Sequence, residues 1–203
     1  MARKYFNGWI VTGWAALAIG VMIAAILAIF GANERGVHLV IRSTAQTSFA
    51  LFTSAFIASP LLKLWPSGAT RWLRANRRYI GVSFAVSHIC HGAAIITLAV
   101  LTSGASVKEA GMTAVIGGTI IYLIILAMAA TSFDRAVRWL GQRSWQRLHT
   151  TGIYVLWTIF ALAYVLRAVN SILYLPFALV MIAAMALRVA ARARRLQHKT
   201  ASA

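Results

Sequence analysis

Long apolar runs separated by short basic segments make up most of this chain. The first run, GWIVTGWAALAIGVMIAAILAIF, covers about 23 residues, longer than the apolar part of a signal peptide, and ends in GANERG rather than a cleavage site. A helix that crosses a membrane needs about 20 predominantly apolar residues, and none of the runs alternates as barrel strands do. The pattern predicts an all-α protein, a single six-helix transmembrane bundle over residues 1–203. The predicted spans are about 8–30, 37–62, 79–102, 111–131, 149–167 and 171–190.

The composition supports a membrane protein and gives its orientation. Hydrophobic residues make up 61% of the chain and charged residues 11%, whereas soluble domains are about a quarter charged. Of the 20 Lys and Arg residues, 16 fall in segments on one side of the predicted spans. Those residues are Arg3, Lys4, Lys63, Arg71, Arg74, Arg77, Arg78, Arg135, Arg138, Arg143, Arg147, Arg188, Arg192, Arg194, Arg195 and Lys199. Basic loops stay in the cytoplasm, so both termini are predicted to be cytoplasmic, in a membrane of the bacterial inner type.

The same bias explains the net charge of +17 without nucleic acid as a partner. The segments WPSGATRWLRANRR and TSFDRAVRWLGQRSWQR mix Trp with Arg, which is typical of short helices in the headgroup layer. Such helices bind anionic lipid, although a cytoplasmic partner protein is an alternative. No GxGxxG or P-loop motif is present, and no segment is long enough for a flavin or nicotinamide domain.

Few residues in the chain can do chemistry. The three acidic residues, Glu34, Glu109 and Asp134, all fall in predicted loops, so the paired intramembrane carboxylates of proton-coupled transporters are absent. No catalytic residue is predicted. A small-solute channel or transporter is therefore the least favoured function, also because no inverted repeat of broken helices is visible.

Four histidines, His38, His88, His91 and His149, lie in or at the edge of predicted spans. Ionisable side chains inside a membrane are costly and usually functional, although a hydrogen-bonded core histidine is an alternative for each one. Imidazoles on facing helices, without acidic neighbours, suit the axial ligation of haem iron in a helical bundle. The pattern therefore suggests haem b, with one or two groups per chain.

The depth of each histidine indicates which of them could share a haem. At about 1.5 Å per residue, His91 lies about 20 Å and His88 about 15 Å from Arg78 at the inner edge. His149 lies at that inner edge, two residues after Arg147. The depths predict an outer haem on His91 and a second, inner site near His149.

Arg42, one turn from His38, is a candidate partner for haem propionates at the outer edge. Its alternative is an arginine that extends to the outer headgroups. Cys90 is the only cysteine, and Ser87-x-x-Cys90-His91 supplies only half of the CxxCH motif for covalent haem attachment. Cys90 is therefore interpreted as ordinary helix packing.

Two segments carry a resemblance to a known family. RRYIGVSFAVSHICH contains RR-x-x-G followed by His91, and LGQRSWQRLHTTGIY contains an LG-x-R…LH pattern that ends in His149. These segments resemble the third and fifth helices of the ferric reductase-like transmembrane family, and within it the haem-binding membrane subunits of periplasmic methionine sulfoxide reductase systems. The resemblance implies six helices, bound haem, and His91 and His149 as iron ligands.

A third segment extends the resemblance to about residues 37–165. VHLVIRSTAQTSFALFTSAFIASPL is similar to the family's second helix and carries over His38 and Arg42 more weakly. The family has another histidine further along the fifth helix, where this chain reads TIFALAYVLRA and offers only Tyr164. Either His88 or His38 replaces that ligand, or the iron is five-coordinate or bound by Tyr164, or the haem is lost.

The leading functional hypothesis is a membrane b-type cytochrome subunit rather than a stand-alone enzyme. It would take electrons from quinol or a cytoplasmic flavin reductase and pass them to an acceptor or partner reductase at the outer face. Quinone is a candidate cofactor. FMN is a further candidate cofactor, although no motif in the sequence supports it. The alternative is a divergent member that serves as a structural or assembly subunit of a larger membrane complex.

Overall fold

The computed structural model describes residues 6–200, apart from the side chains of residues 195, 196 and 198–200. Arg3 and Lys4, and the side chains of Arg195 and Lys199, which the sequence places at the inner face, lie outside the described part. None of residues 6–200 forms a strand. The helices are α1 (Trp9–Phe30), α2 (Glu34–Leu64), α3 (Gly68–Leu101), α4 (Ala105–Ala130), α5 (Asp134–Leu140), α6 (Gln142–Asn170) and α7 (Leu175–Thr200), with a 3-10 turn at Ile172–Tyr174.

Six of these helical segments are long and apolar enough to cross a membrane: α1 to α4, α6, and Ile172–Arg194 in α7 with its preceding turn. The predicted all-α, six-helix architecture is confirmed, and the chain is a multi-pass membrane protein whose apolar helix surfaces contact lipid. Successive spans run in opposite directions. The end that carries Lys63, Arg138 and Arg192 is called the basic end below, and the end with Arg35 and Arg167 the opposite end.

The helices extend beyond the predicted spans at the basic end. α3 begins at Gly68, where Ser67 and Thr70 form a capping box. The segment 65–78 is therefore not a separate helix in the headgroup layer, as the sequence suggested, because most of it forms the first turns of α3. The segment 131–147 does contain a separate short helix, α5, which ends at Leu140 and is followed by Gly141 with a left-handed φ of 76°. Apolarity marks only the part of a helix inside the hydrocarbon, whereas capping residues decide where the helix begins.

The core lies between α2, α3, α6 and α7. Its fully buried side chains include Phe56 of α2, Leu156 of α6 and Met181 of α7, and Phe84 of α3 packs against them. By contrast, α1 and α4 lie at the edge of the bundle, with Ile19 and Ile125 as their respective buried residues. The α2–α3 pair thus forms the centre on which the candidate site is built.

A seam of small polar residues joins α2 to α3. Ser48 Oγ donates to Ser87 Oγ at 3.0 Å, and Ser87 Oγ donates to the Thr44 carbonyl at 3.1 Å. All three residues are fully buried. Small polar side chains let helices approach closely in lipid and stabilise them by interhelical hydrogen bonds.

We expect Ser87→Ala to lower the free energy of unfolding by about 1 kcal/mol, because it removes two interhelical hydrogen bonds and leaves Ser48 without its acceptor. Unfolding in mixed detergent micelles with increasing dodecyl sulfate measures the change. Thr97→Ala on the same helix is the control, because Thr97 is exposed and bonds only its own helix at Ala93. An equal loss in both variants would contradict the role of the seam.

Candidate functional site

A cavity of about 780 Å³ opens near the opposite end of the bundle, between α2, α3 and α6. It is called the histidine cavity because His38, His88 and His91 line it, and Arg42 and Tyr164 line it as well. The structure therefore brings five of the six predicted site residues to one place. The sixth, His149, lines a different cavity near the basic end.

His91 is held by the neighbouring helix. Its Nδ1 lies 3.0 Å from the carbonyl oxygen of Ile41 and 3.2 Å from the hydroxyl of Thr44. A carbonyl oxygen can only accept, so Nδ1 carries the proton of the neutral ring. Nε2 is left with its lone pair, as in histidines that bind a metal through one nitrogen and donate the other N–H to a carbonyl.

His88 stacks against His91 one helical turn away. Their ring centroids are 5.2 Å apart and their planes differ by 30°. The lone pair of an imidazole lies in the plane of its ring, so two stacked rings do not point at one atom from opposite sides. This arrangement does not suit the hypothesis that His88 replaces the missing fifth-helix ligand on the iron bound by His91. His88 Nδ1 is instead a buried nitrogen without a partner among the described residues, which a group bound in the cavity could satisfy.

The rim of the histidine cavity is basic. Arg42 is exposed at this rim, and so is His38. Two further arginines that the sequence did not single out, Arg35 and Arg167, line the same cavity. Arg35 lies one turn before His38, and Arg167 lies one turn after Tyr164. Residues one turn apart share a helix face, so this spacing could have indicated that both arginines line the cavity. Three guanidinium groups at one rim form a site for carboxylates.

The part of the lining contributed by α6 and α7 is aromatic. Tyr164 is buried, and its ring lies 4.8 Å from that of Phe49 and 5.0 Å from that of Phe177. Phe160 adds a further ring, 5.2 Å from Phe52. Aromatic rings of this kind are typical of the lining of ligand cavities.

The residues of the histidine cavity fit a haem. They provide one imidazole with a free Nε2, a cavity of about 780 Å³ with aromatic lining and a basic rim for two carboxylates. His38 and Tyr164 are the remaining candidates for a second iron ligand, since both line the same cavity. Among the described residues, no group of three or more His, Cys, Asp or Glu side chains could hold a bare metal ion.

A second cavity, of about 600 Å³, opens toward the basic end and is called the arginine cavity. Arg74, Arg77, Arg78 and Arg188 line it together with His149. The sequence assigned these arginines to the inner face but did not predict that they meet.

His149 does not fit a second haem in its present setting. Thr131 donates its hydroxyl to the Ala127 carbonyl at 2.7 Å, so the His149 Nε2 at 3.0 Å from that hydroxyl is a donor to it. The Trp145 ring covers His149 at a centroid distance of 4.4 Å, and Trp145 Nε1 also donates to the Thr131 carbonyl at 2.9 Å. His149 thereby links α6 to the end of α4. Its Nε2, the ring nitrogen farther from the backbone, is already hydrogen-bonded to Thr131.

Comparison of the chain with protein-family models, with curated proteins and with solved structures finds no match.

Proposed function

We propose that this protein is a membrane cytochrome b subunit that binds one haem in the histidine cavity and passes electrons toward an acceptor at the opposite end. The observation that carries the proposal is the His91 ring, fixed through Nδ1 by Ile41 with Nε2 left free beside an aromatic cavity with a basic rim. The haem supplies one-electron transfer when it is bound. The ferric reductase-like transmembrane family is the family whose motifs this proposal follows.

Each part of the cavity has a role in this function. His91 binds the iron, and the Ile41 carbonyl and Thr44 keep its ring in one tautomer and orientation. The rings of Phe160 and Tyr164 give the cavity its aromatic lining. The arginines at the rim neutralise the carboxylates of the haem at the membrane edge.

The electrons enter from quinol in the bilayer or from a cytoplasmic flavin reductase, and a partner reductase on the far side takes them. The described residues 6–200 are almost entirely helical, and in this proposal the donor and the acceptor are separate proteins or quinol. The orientation follows from the positive-inside rule, with the basic end in the cytoplasm and the histidine cavity near the outer face of a bacterial-type inner membrane.

The test is a reduced-minus-oxidised absorption spectrum of the full chain purified in detergent after expression with added haem precursor. We expect a b-type α-band and about one haem per chain in a pyridine haemochrome assay. A preparation without haem would overturn the proposal.

A structural or assembly subunit is the second candidate function. One observation favours it: on α6, the cavity offers Tyr164 in place of a second histidine. This candidate predicts that the folded chain lacks haem and is recovered in a stable complex with other membrane subunits.

A further inference from the structure

The arginine cavity collects positive charge without enough negative charge to balance it. Its four arginines come from the start of α3 and from α7. Asp134 is the only acidic residue among those lining this cavity, and it pairs with Arg78 at 2.5 Å. Arg78 also donates through Nε to the Ser132 carbonyl, so Arg78 already has an acidic partner within the protein.

The other three guanidinium groups lack an anionic partner among the described residues. Arg77 is half-buried, and its Nη1 donates to the neutral Ser59 hydroxyl at 3.2 Å. Arg188 is half-buried over the Phe56 ring, 4.3 Å from the centroid, and donates at 3.4 Å to the Phe56 carbonyl. Arg74 is exposed at the mouth of the cavity.

No other carboxylate side chain of this protein can reach these arginines. The chain has three acidic residues in all, and the other two, Glu34 and Glu109, lie near the starts of α2 and α4, at the opposite end. Half-buried charges are costly unless they are paired. Among the described residues, then, no anion balances Arg77 and Arg188, and a bound anion would do so.

The shape and lining of the arginine cavity indicate what kind of anion fits. Its deeper wall is apolar, with Phe84, Ile125 and Leu156, whereas its mouth carries the arginines and Gln142. Planar guanidinium groups form paired hydrogen bonds with phosphate oxygens. Phosphate groups are also the main anions at the membrane surface where the basic end lies.

We propose that the arginine cavity is a binding site for a phosphate group of net negative charge, contributed by an anionic phospholipid headgroup or by free phosphate. Arg74, Arg77 and Arg188 bind the phosphate oxygens, and the apolar wall accepts the hydrophobic part of a lipid. His149, held by Thr131, supports the wall and does not bind iron. The site would tie α3 to α7 through the bound anion.

Native mass spectrometry of the detergent-purified full chain tests this site. The probes are phosphatidylglycerol and phosphatidylcholine with identical acyl chains, because both have a phosphate but only the first keeps a net negative charge. We expect preferential retention of phosphatidylglycerol by the unmodified chain, and a decrease of about tenfold in its affinity in Arg77→Gln. Arg74→Gln should weaken binding in the same direction, and because Arg74 is exposed its replacement leaves the fold intact.

The matched controls are Arg71→Gln on α3 and Arg192→Gln on α7, each one turn from a cavity arginine, exposed and outside the cavity lining. Both should retain phosphatidylglycerol as the unmodified chain does. Equal losses in all four variants would show a diffuse surface attraction and overturn the proposal. Equal retention of the two lipids, with no inorganic phosphate bound to the unmodified chain either, would also overturn it.

Inorganic phosphate separates the two sources. Displacement of phosphatidylglycerol by millimolar inorganic phosphate would identify free phosphate as a ligand of the same site, whereas undiminished retention would identify the lipid headgroup. Haem content, measured in parallel, should not change in Arg77→Gln, because Arg77 does not line the histidine cavity. Failure of the phosphate site is thereby distinguished from failure of the haem proposal.

Discussion

Replacing His91 by alanine should remove nearly all bound haem from the purified protein. His91 is the histidine whose ring is fixed by a neighbouring carbonyl while its Nε2 stays free beside the cavity. Loss of an outer-shell partner of a metal-binding histidine weakens binding by about 10- to 100-fold, and loss of the ligand itself costs more. The haem-to-protein ratio from a pyridine haemochrome assay, compared between the variant and the unmodified chain at equal protein concentration, measures the effect.

Cys90→Ala is the matched control for this variant. Cys90 is adjacent to His91 on α3 but lines neither the histidine cavity nor the arginine cavity, so its haem content should stay unchanged. His149→Ala should also keep its haem, because Thr131 already uses the Nε2 of His149. Unchanged haem in a monodisperse His91→Ala preparation would refute the assignment of His91.

The spans could be predicted from the sequence because apolar length alone determines which segments cross a membrane. The helix ends could not be predicted in the same way. The first turns of α3 are rich in arginine, and the sequence predicts a separate short helix in the headgroup layer, yet the capping box at Ser67 begins α3 there. The span predicted from residue 111 coincides with a break at Gly111, where φ is 79°, inside a helix that begins at Ala105.

The composition of the histidine cavity was largely predictable. Spacing along α2 and α3 placed His38, Arg42 and His91 at related depths, and the fifth span supplied Tyr164. The sequence could not show how the His91 ring is oriented. The Ile41 carbonyl that fixes this ring belongs to the backbone of another helix. The stacking of His88 on His91 depends on side-chain orientation, which spacing does not determine.

The contacts of His149 were harder to predict for a related reason. Its position near the basic end agrees with the depth estimate, but its hydrogen bond to Thr131 joins two helices whose packing is not encoded in a local motif. The meeting of Arg77 with Arg188 likewise joins residues of α3 and α7 that are far apart in the chain. The charge count did contain one usable signal, since three acidic residues cannot balance 20 basic ones.

Gly36→Ala should destabilise the protein by about 1–3 kcal/mol, because the site has no room for a methyl group. Gly36 is buried in the first turn of α2, and a Cβ there would collide with the backbone carbonyl oxygen of Gly31. That oxygen belongs to the backbone of the turn at Gly31, where φ is 81°, and Asn33 ties the turn by accepting from Gly36 N at 3.1 Å. The substitution must therefore push α1 away from α2. Unfolding with dodecyl sulfate in mixed micelles measures the loss.

Gly20→Ala on α1 is the control for this substitution. A Cβ at Gly20 meets nothing within 4 Å, and alanine is the better helix former by about 1 kcal/mol, so this variant should be at least as stable as the unmodified chain. Similar stability in the two variants would mean that the turn between α1 and α2 can relax. In that case the close approach at Gly36 would not determine the position of α1. Arg35 and His38, which flank this glycine, line the histidine cavity.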